Sequence, residues 1–531
     1  MSQPPAAVRK QPAAPPDTAG SGRRSSPWLT MMAVALGIIM VALDGTIVAI
    51  ANPAIARDLG ASLADLQWVT NGYLLAIAVT LITAGKVGDR FGHKPVFLIG
   101  AVGFALSSGG IGLSQGIGAL IALRVLQGIF GAMLQPTAIG LLRAAFPADR
   151  LNMAIGIWGA CIAASTAAGP IIGGLLVEKV NWQSVFFINV PVGIVAVVLG
   201  LLFLRRSRDD VTSSNFDVPG IGLLSAMLFT LVWAVVKAPE YGWASGRTLG
   251  FFGGAAVLLV AFVVREHFAD EPLVPLALFR SASLSAGVVL MMMMAFGLFG
   301  AMFFLTFYLQ GVRGLSPVGS GVWMLPMMLS MVVTAPIAGA LISRLGPRPP
   351  LVAGMICSGA AFVGLSRLAA GAGFMELFPW LVLMACGLSP VMVAATDIIV
   401  GNAPVRLSGV AGGLQQVAMQ IGGALGTSVL GALMSAKVAG VLPGHMTGAG
   451  LPAPDEAQVE LMRGAISQGF APVPPDAPAP VAQAITRASH MSFMDGMHTA
   501  FYAAAAVSFA AVLVSLIVRR GRAVEDAVTH I

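Results

Sequence analysis

The chain has 531 residues, of which 57% are hydrophobic and 10% charged, and its mean hydropathy is +0.87. This excludes a water-soluble protein of such length and makes the bilayer its principal solvent. The formal charge of +7 is then first a signal of topology, because Lys and Arg accumulate in cytoplasmic loops. Cys161, Cys357 and Cys386 all lie in apolar stretches, so neither a disulfide framework nor a metal site is indicated.

Residues 1–28, rich in Pro, Ala and Ser, read as a disordered cytoplasmic tail. Apolar runs long enough to cross a bilayer follow at 29–51, 66–87, 95–114, 117–139, 152–177, 186–204, 217–236, 248–264, 282–310, 318–341, 350–368, 377–400, 407–434 and 496–518. That even number of fourteen puts both termini on one side. Twenty Lys and Arg fall on that side, nine on the other and one inside a run, so both termini are expected in the cytoplasm of a multi-pass inner-membrane protein.

The first run carries one ionisable residue, Asp44. A carboxylate in hydrocarbon costs several kcal/mol and is kept where it faces protein or a wet cavity, commonly to serve ions, protons or substrate. The plainer alternative is a carboxyl satisfied by neighbours such as Thr46. Arg124 is the lone Lys or Arg deep in a run. It lies seven residues inside the fourth run and Asp44 lies seven before the end of the first, so both sit at the same depth, ~10 Å from one face. Equal depth permits an ion pair if the two spans adjoin; a structural cation held by backbone carbonyls is the alternative for Arg124.

After the second run comes Gly85-Lys86-Val87-Gly88-Asp89-Arg90-Phe91-Gly92-His93-Lys94, and a weaker copy follows the tenth run at residues 339–348. Copies eight spans apart mean two six-span repeats with two spans inserted between them. The expected division is an N-terminal half at 29–204, inserted spans at 205–270, a C-terminal half at 271–518 with a long external loop at 437–495, and a cytoplasmic tail at 519–531.

This loop resembles the signature of the major facilitator superfamily. Leu43 to Val48 followed by Pro53 resembles the first-span signature of its fourteen-span drug:proton antiporter family. Gln67-Trp68-Val69, Arg124 with Gln127-Gly128, Gly169-Pro170 with Gly173-Gly174, Asn189 to Gly193, and Phe216-Asp217 with Gly220 are similar to further segments in the same order. The resemblance implies an all-α polytopic fold of two six-span pseudo-repeats plus two central spans. It also implies alternating access, with Asp44 and Arg124 in proton coupling and Gly85, Asp89, Arg90, Gly92 and Lys94 in a gating loop. Asp89 set against the start of the thirteenth span, near Leu407 and Ser408, would make a latch; an ordinary basic loop is the alternative. The fifth span, with Gly156, Ser165, Gly169, Pro170, Gly173 and Gly174, would be the antiporter-type helix. Ser165, Gly169 and Gly173 form one small-residue face, which the resemblance places between the halves.

Met292, Phe296, Phe299, Phe303 and Phe307 make a polarisable stripe suited to a lipophilic substrate, or to lipid or a neighbouring span. Asp397 either reaches the cytoplasmic interface or faces the cavity, where it would favour cations. Asp455–Phe470 has the pattern of a short amphipathic helix. No phosphate-binding loop or metal-ligand spacing occurs, so no cofactor is expected and the proton gradient is the energy source left. The expected partners are a small lipophilic substrate, protons and the bilayer, with no nucleic acid, and a functional monomer. The expected function is export of lipophilic drugs or antibiotics rather than enzymatic chemistry. A transporter of one metabolite, lipid or siderophore on the same scaffold is the first alternative, and a non-transporting membrane sensor or scaffold the second.

Overall fold

The computed structural model describes residues 26–204, 217–269, 272–274, 276–403 and 408–518. All regular structure among them is helical. Helix α1 (Pro27–Leu59) starts with a proline that needs no partner for its missing N–H. It stops at Gly60, whose φ of 61° closes the turn. Helix α2 (Leu63–Phe91) begins with a reciprocal cap: Asp65 N donates to Ser62 Oγ at 3.2 Å and Ser62 N donates to Asp65 Oδ2 at 2.9 Å. There follow α3 (His93–Gly112), α4 (Ile117–Ala145), α5 (Ala148–Lys179), the short α6 (Ser184–Phe187) and α7 (Asn189–Phe203). The inserted hairpin is α8 (Val218–Tyr241) and α9 (Gly246–Phe268). Then come α10 (Ala282–Phe307), continued by a π turn at Tyr308–Val312, α11 (Pro317–Leu345), α12 (Arg348–Leu365), α13 (Phe374–Gly401), α14 (Ser408–Gly448), α15 (Glu456–Ser467) and α16 (Ala479–Ser515).

Twelve helices among the described residues are long and apolar enough to cross a membrane. They become thirteen when Ile157–Thr166 and Ala168–Lys179, which meet at 42°, count as one bent span. Helix α2 coincides with the second expected run and is long enough to cross, at 29 residues, without being among those thirteen. The expected fourteen is thus supported approximately. The bend falls where Pro170 cannot donate to the carbonyl of Thr166, four residues earlier.

Helices α1 to α7 pack chiefly on one another, as do α10 to α16; α2 against α14 and α5 against α11 join the two sets, and α8 lies along α14 and α2. The internal repeat is visible in the backbone. Gly92 between α2 and α3 has φ 91° and Gly346 between α11 and α12 has φ 82°, a conformation side chains resist.

The external loop departs from expectation. Helix α14 runs 41 residues and α16 runs 37, well past the apolar runs at 407–434 and 496–518, so most of 437–495 is helical. At 1.5 Å per residue α14 is ~60 Å long, about twice the hydrocarbon thickness. Hydropathy marks where lipid ends, whereas a helix continues as long as its propensity and packing allow. Helix α15, with its Asp455–Gln458 capping box, is the amphipathic segment.

Helix α15 leads into a cap over the end of the bundle at which α1 finishes, the distal end. Gln468 Nε2 donates to Ala61 O at 3.1 Å, Arg57 lies 4.6 Å from the Phe470 ring, and Gly469 packs on Gly311. Around that end the two sets are tied directly: Gln67 Nε2 donates to Thr427 O (2.8 Å), Asn71 Nδ2 to Ser428 Oγ (2.8 Å), Thr427 Oγ1 to Asn71 Oδ1 (2.7 Å) and Gln310 Nε2 to Ile50 O (3.1 Å).

Candidate functional site: a buried ion pair behind a central cavity

Asp44 on α1 is fully buried and forms an ion pair with Arg124 Nη1 on α4, itself 2% exposed. The arginine is held from three sides. Its Nε donates to Val69 O at 3.1 Å, Nη1 donates to Gln127 Oε1 at 2.7 Å, and the guanidinium lies 4.0 Å from the Tyr73 ring centroid. Asp44 Oδ1 accepts from Gln127 Nε2 at 3.0 Å and Asn189 Nδ2 at 3.3 Å. Gln127 and Asn189 also donate to Ser108 Oγ, at 3.1 and 3.0 Å, and that hydroxyl donates to Phe186 O at 2.8 Å. A charge pair removed from water is tolerable when its remaining lone pairs and N–H groups are satisfied, and α1, α2, α3, α4 and α7 each supply part of that.

Arg124, not Asp44, borders the central cavity. The space has about 20 Å³ available to the centre of a water molecule, enough for one or two waters, and is lined by Gly45, Val48 and Ala49 of α1, Thr70, Tyr73 and Leu74 of α2, Arg124, Phe299, Met302 and Phe303 of α10, and Thr427 of α14. The Met/Phe stripe is therefore divided. Phe299 and Phe303 reach the cavity, the backbone of Met292 and Phe296 lies against Gly422 and Gly426 of α14, and Phe307 is buried with its ring 5.2 Å from that of Phe303. Asp397 is exposed near the end of α13 and is not among the residues that line this cavity, a placement in keeping with the first of its two readings, the interface. Its position in the last turns of α13 carries it away from the cavity.

The small-residue face of α5 also differs from expectation. A Cβ on Gly169 would collide with the Thr46 hydroxyl and stand 2.9 Å from Thr46 Cβ, and one on Gly173 would stand 2.7 Å from Ile47 Cγ1. Both glycines thus meet α1 of the same half. The contact between halves lies round the helix, where Gly174 meets Pro317 and Val318, and Gly321 of α11 meets Pro170. One residue along a helix turns the face by about 100°, which separates Gly174 from Gly173. Thr46 Oγ1 stands 3.3 Å from the Thr166 carbonyl that Pro170 leaves unbonded, and 3.2 Å from Leu43 O. Ser165 bonds back to Cys161 O at 2.7 Å.

In the gating loop, Gly85 faces Pro136 of α4, Gly92 makes the turn, Arg90 is exposed with its guanidinium 5.6 Å from the Phe91 ring, and Lys94 Nζ donates to Leu201 O and Leu204 O at 3.0 and 2.6 Å. Lys94 thereby satisfies carbonyls at the end of α7. The side chain of Asp89, the surroundings of Gly156 and residues 404–407 lie outside the described residues, and with them the expected latch. Among the described residues no group of three His, Cys, Asp or Glu side chains could hold a metal ion.

Sequence reasoning found Asp44 and Arg124 through their cost in lipid but gave no role to Ser108, Gln127 or Asn189. Gln127 was detectable: it lies three residues after Arg124, on the same helical face.

A bundle of membrane-length helices in two sets that meet across a cavity, with a buried ion pair behind one wall and an apolar wall opposite, is the architecture of a membrane transporter. The chain belongs to the Major Facilitator Superfamily, whose family model matches residues 34–427. It is 53% identical over 517 residues to the tetracenomycin C resistance and export protein of Streptomyces glaucescens, covering 97% of this chain and 96% of that protein. It is 32% identical over 496 residues to a multidrug transporter of Bacillus subtilis, covering 91% of each. Among solved structures it resembles a bacterial homologue of the human lysosomal transporter Spinster in an inward-facing, unoccupied conformation, with TM-score 0.62 and 18% identity over 95% of this chain and all of that one.

Proposed function

We propose that this protein exports lipophilic drugs or antibiotics across the cytoplasmic membrane in exchange for protons, by alternating access, as a monomer with both termini in the cytoplasm. The observation that carries this reading is the Asp44–Arg124 pair placed behind the wall of a cavity whose opposite wall is Phe299, Met302 and Phe303. A proton arriving on Asp44 removes the charge that holds Arg124, and Gln127, bonded to both, passes the change on. Disrupting a buried pair is worth about 3–5 kcal/mol. That is close to the ~5.5 kcal/mol needed to carry a two-state equilibrium from 1:99 to 99:1. The membrane potential contributes about 2.3 kcal/mol per charge per 100 mV. The resistance and export protein of S. glaucescens supports the direction of transport, and with the multidrug transporter of B. subtilis it supports the substrate class.

The test is dissipation of a preset pH gradient in proteoliposomes on adding each of a chemically diverse panel of compounds. Several unrelated lipophilic compounds are expected to release the gradient. Release by a single metabolite would instead make this a dedicated transporter, and release by none would exclude proton-coupled export.

A further inference from the structure

The inserted hairpin holds a charged group that the central cavity does not use. Asp217, 5% exposed, caps α8: its Oδ1 accepts from Gly220 N at 3.1 Å and pairs with Arg265 Nη2 at 2.9 Å. Glu266, 2% exposed near the end of α9, accepts from Val274 N at 2.7 Å through Oε2. Each carboxyl has one oxygen left over, and both leftovers, Asp217 Oδ2 and Glu266 Oε1, are buried with no hydrogen-bond partner. They converge beside Gly220. A Cβ there would meet Asp217 Oδ2 and stand 2.8 Å from Glu266 Oε1, and the two carboxyls are within hydrogen-bonding reach of each other. Only a bare Cα leaves them this space, which is why Gly220 follows Asp217 by three residues.

Two ionised carboxylates so placed repel, and neither oxygen can satisfy the other because both are acceptors. A single proton removes both difficulties, since one carboxyl then donates its O–H to the other. The set Asp217, Glu266 and Arg265 then carries no net charge. We propose that Asp217 and Glu266 hold one proton between them, a protonatable site distinct from Asp44, and that this proton clasps the connector at Leu273–Val274 to the inserted hairpin.

Other charges among the described residues of the neighbouring elements lie as follows. Lys86 of α2 reaches the same connector, donating from Nζ to Pro272 O at 3.3 Å. His267 of α9 and Arg280 of the turn Leu276–Arg280 are exposed. Lys237 and Glu240, at the far end of α8, pair with each other at 2.6 Å, and the charged residues of α14, Lys437 and His445, lie toward its C-terminus. Release of the proton to bulk water leaves two anions against one guanidinium. Glu266 is then pushed off Asp217 and takes the Val274 N–H bond with it. Because the connector leads into α10 and is touched by Lys86 of the gating loop, the site would report pH at the junction of the two halves.

The experiment compares the full-length wild-type chain with Glu266→Gln, both in liposomes without substrate, by infrared spectroscopy and amide hydrogen exchange over a pH titration. The expected result is a protonated-carboxyl stretch at neutral pH in the wild type that vanishes on going alkaline and is missing from Glu266→Gln. Exchange at Leu273–Val274 should rise about tenfold with the same midpoint in the wild type. It should stay at its neutral-pH rate in Glu266→Gln, whose amide bridges to Asp217 at any pH. Asp217→Asn, which supplies the same amide bridge from the other side, guards against a folding defect in the first variant. A stretch equally strong in wild type and Glu266→Gln, or exchange that ignores pH, would overturn the proposal. Protection by sodium ions without any protonated-carboxyl stretch would overturn it too, by making the shared ligand a cation.

Discussion

The two walls of the central cavity are built on opposite rules. The N-terminal wall is Gly45, Val48, Ala49, Thr70, Tyr73, Leu74 and Arg124, and behind it Arg124 enters a polar network in which Asp44, Gln127, Asn189 and Ser108 satisfy one another. The C-terminal wall is Phe299, Met302 and Phe303, relieved only by Thr427. Gly92 and Gly346 take the same positive-φ turn in the two halves, yet the halves differ in chemistry: one holds the buried ion pair and the other presents an apolar, polarisable surface to the cavity. On the function proposed above, energy input and substrate recognition would then change separately, with Arg124, which belongs to the ion pair and lines the cavity, as the point where they meet.

The largest expected effect comes from removing the charge on the polar wall. Asp44→Asn should reduce substrate-linked proton movement and uphill export to the level of empty vesicles. It also strands Arg124, at a cost of about 3–5 kcal/mol in stability. The double variant Asp44→Asn/Arg124→Gln is the sharper probe: folded yield should recover while coupling stays lost. An Asp44→Asn protein that still concentrates substrate with the ordinary pH dependence would remove coupling from this wall.

Next in size is the contact that supports the wall from behind. Gly169→Leu should abolish transport even where membrane insertion is normal, because α5 can no longer approach Thr46 and Ile47 of α1, and lipid does not replace the lost packing. Gly169→Ala should be partly defective and improve when combined with Thr46→Ala. Full transport by Gly169→Leu would show that α1 and α5 do not need this approach.

A smaller effect should follow from trimming the apolar wall. Phe303→Ala is expected to raise the KM for lipophilic substrates about tenfold, or ~1.4 kcal/mol, with protons moved per substrate unchanged. A change in that ratio would mean the two walls do not act separately. The smallest effect is expected at the gating loop. Asp89→Asn should lower export about two- to fivefold at unchanged folded yield, the size of a helix-terminus interaction of 0.3–1 kcal/mol. Cysteine accessibility should shift toward the inward-facing population, and unchanged accessibility would leave Asp89 as a loop charge.

The spans and the ion pair were legible because both are written in transfer energy: apolar runs announce lipid, and Asp44 and Arg124 stand out as costs that need a reason. Asn189 and Ser108 were not, since neutral polar residues in a helix are common and only three-dimensional proximity shows that Asn189 shares the Asp44 carboxylate with Gln127, while Ser108 accepts from both amides. The α5 face shows another limit. Gly169 and Gly173 announced a close approach, but their spacing does not name the partner, which proved to be α1. The lengths of α14 and α16 were missed because hydropathy falls at the bilayer surface while the helices do not stop there.

The cap at the distal end has a practical consequence. Transporters of this size offer antibody fragments little to grip, yet α15 is a capped helix beyond the apolar runs, with Leu461 87% exposed. It continues into Gln468, Gly469 and Phe470, which touch Ala61 and Arg57 on one half and Gly311 on the other. Its contacts with Ala61 and Arg57 last only while the two halves meet at this end, whereas its packing on α14 and α16 does not depend on that. A fragment selected to span both sides of that contact would, if the halves separate there in alternating access, bind one state and not the other.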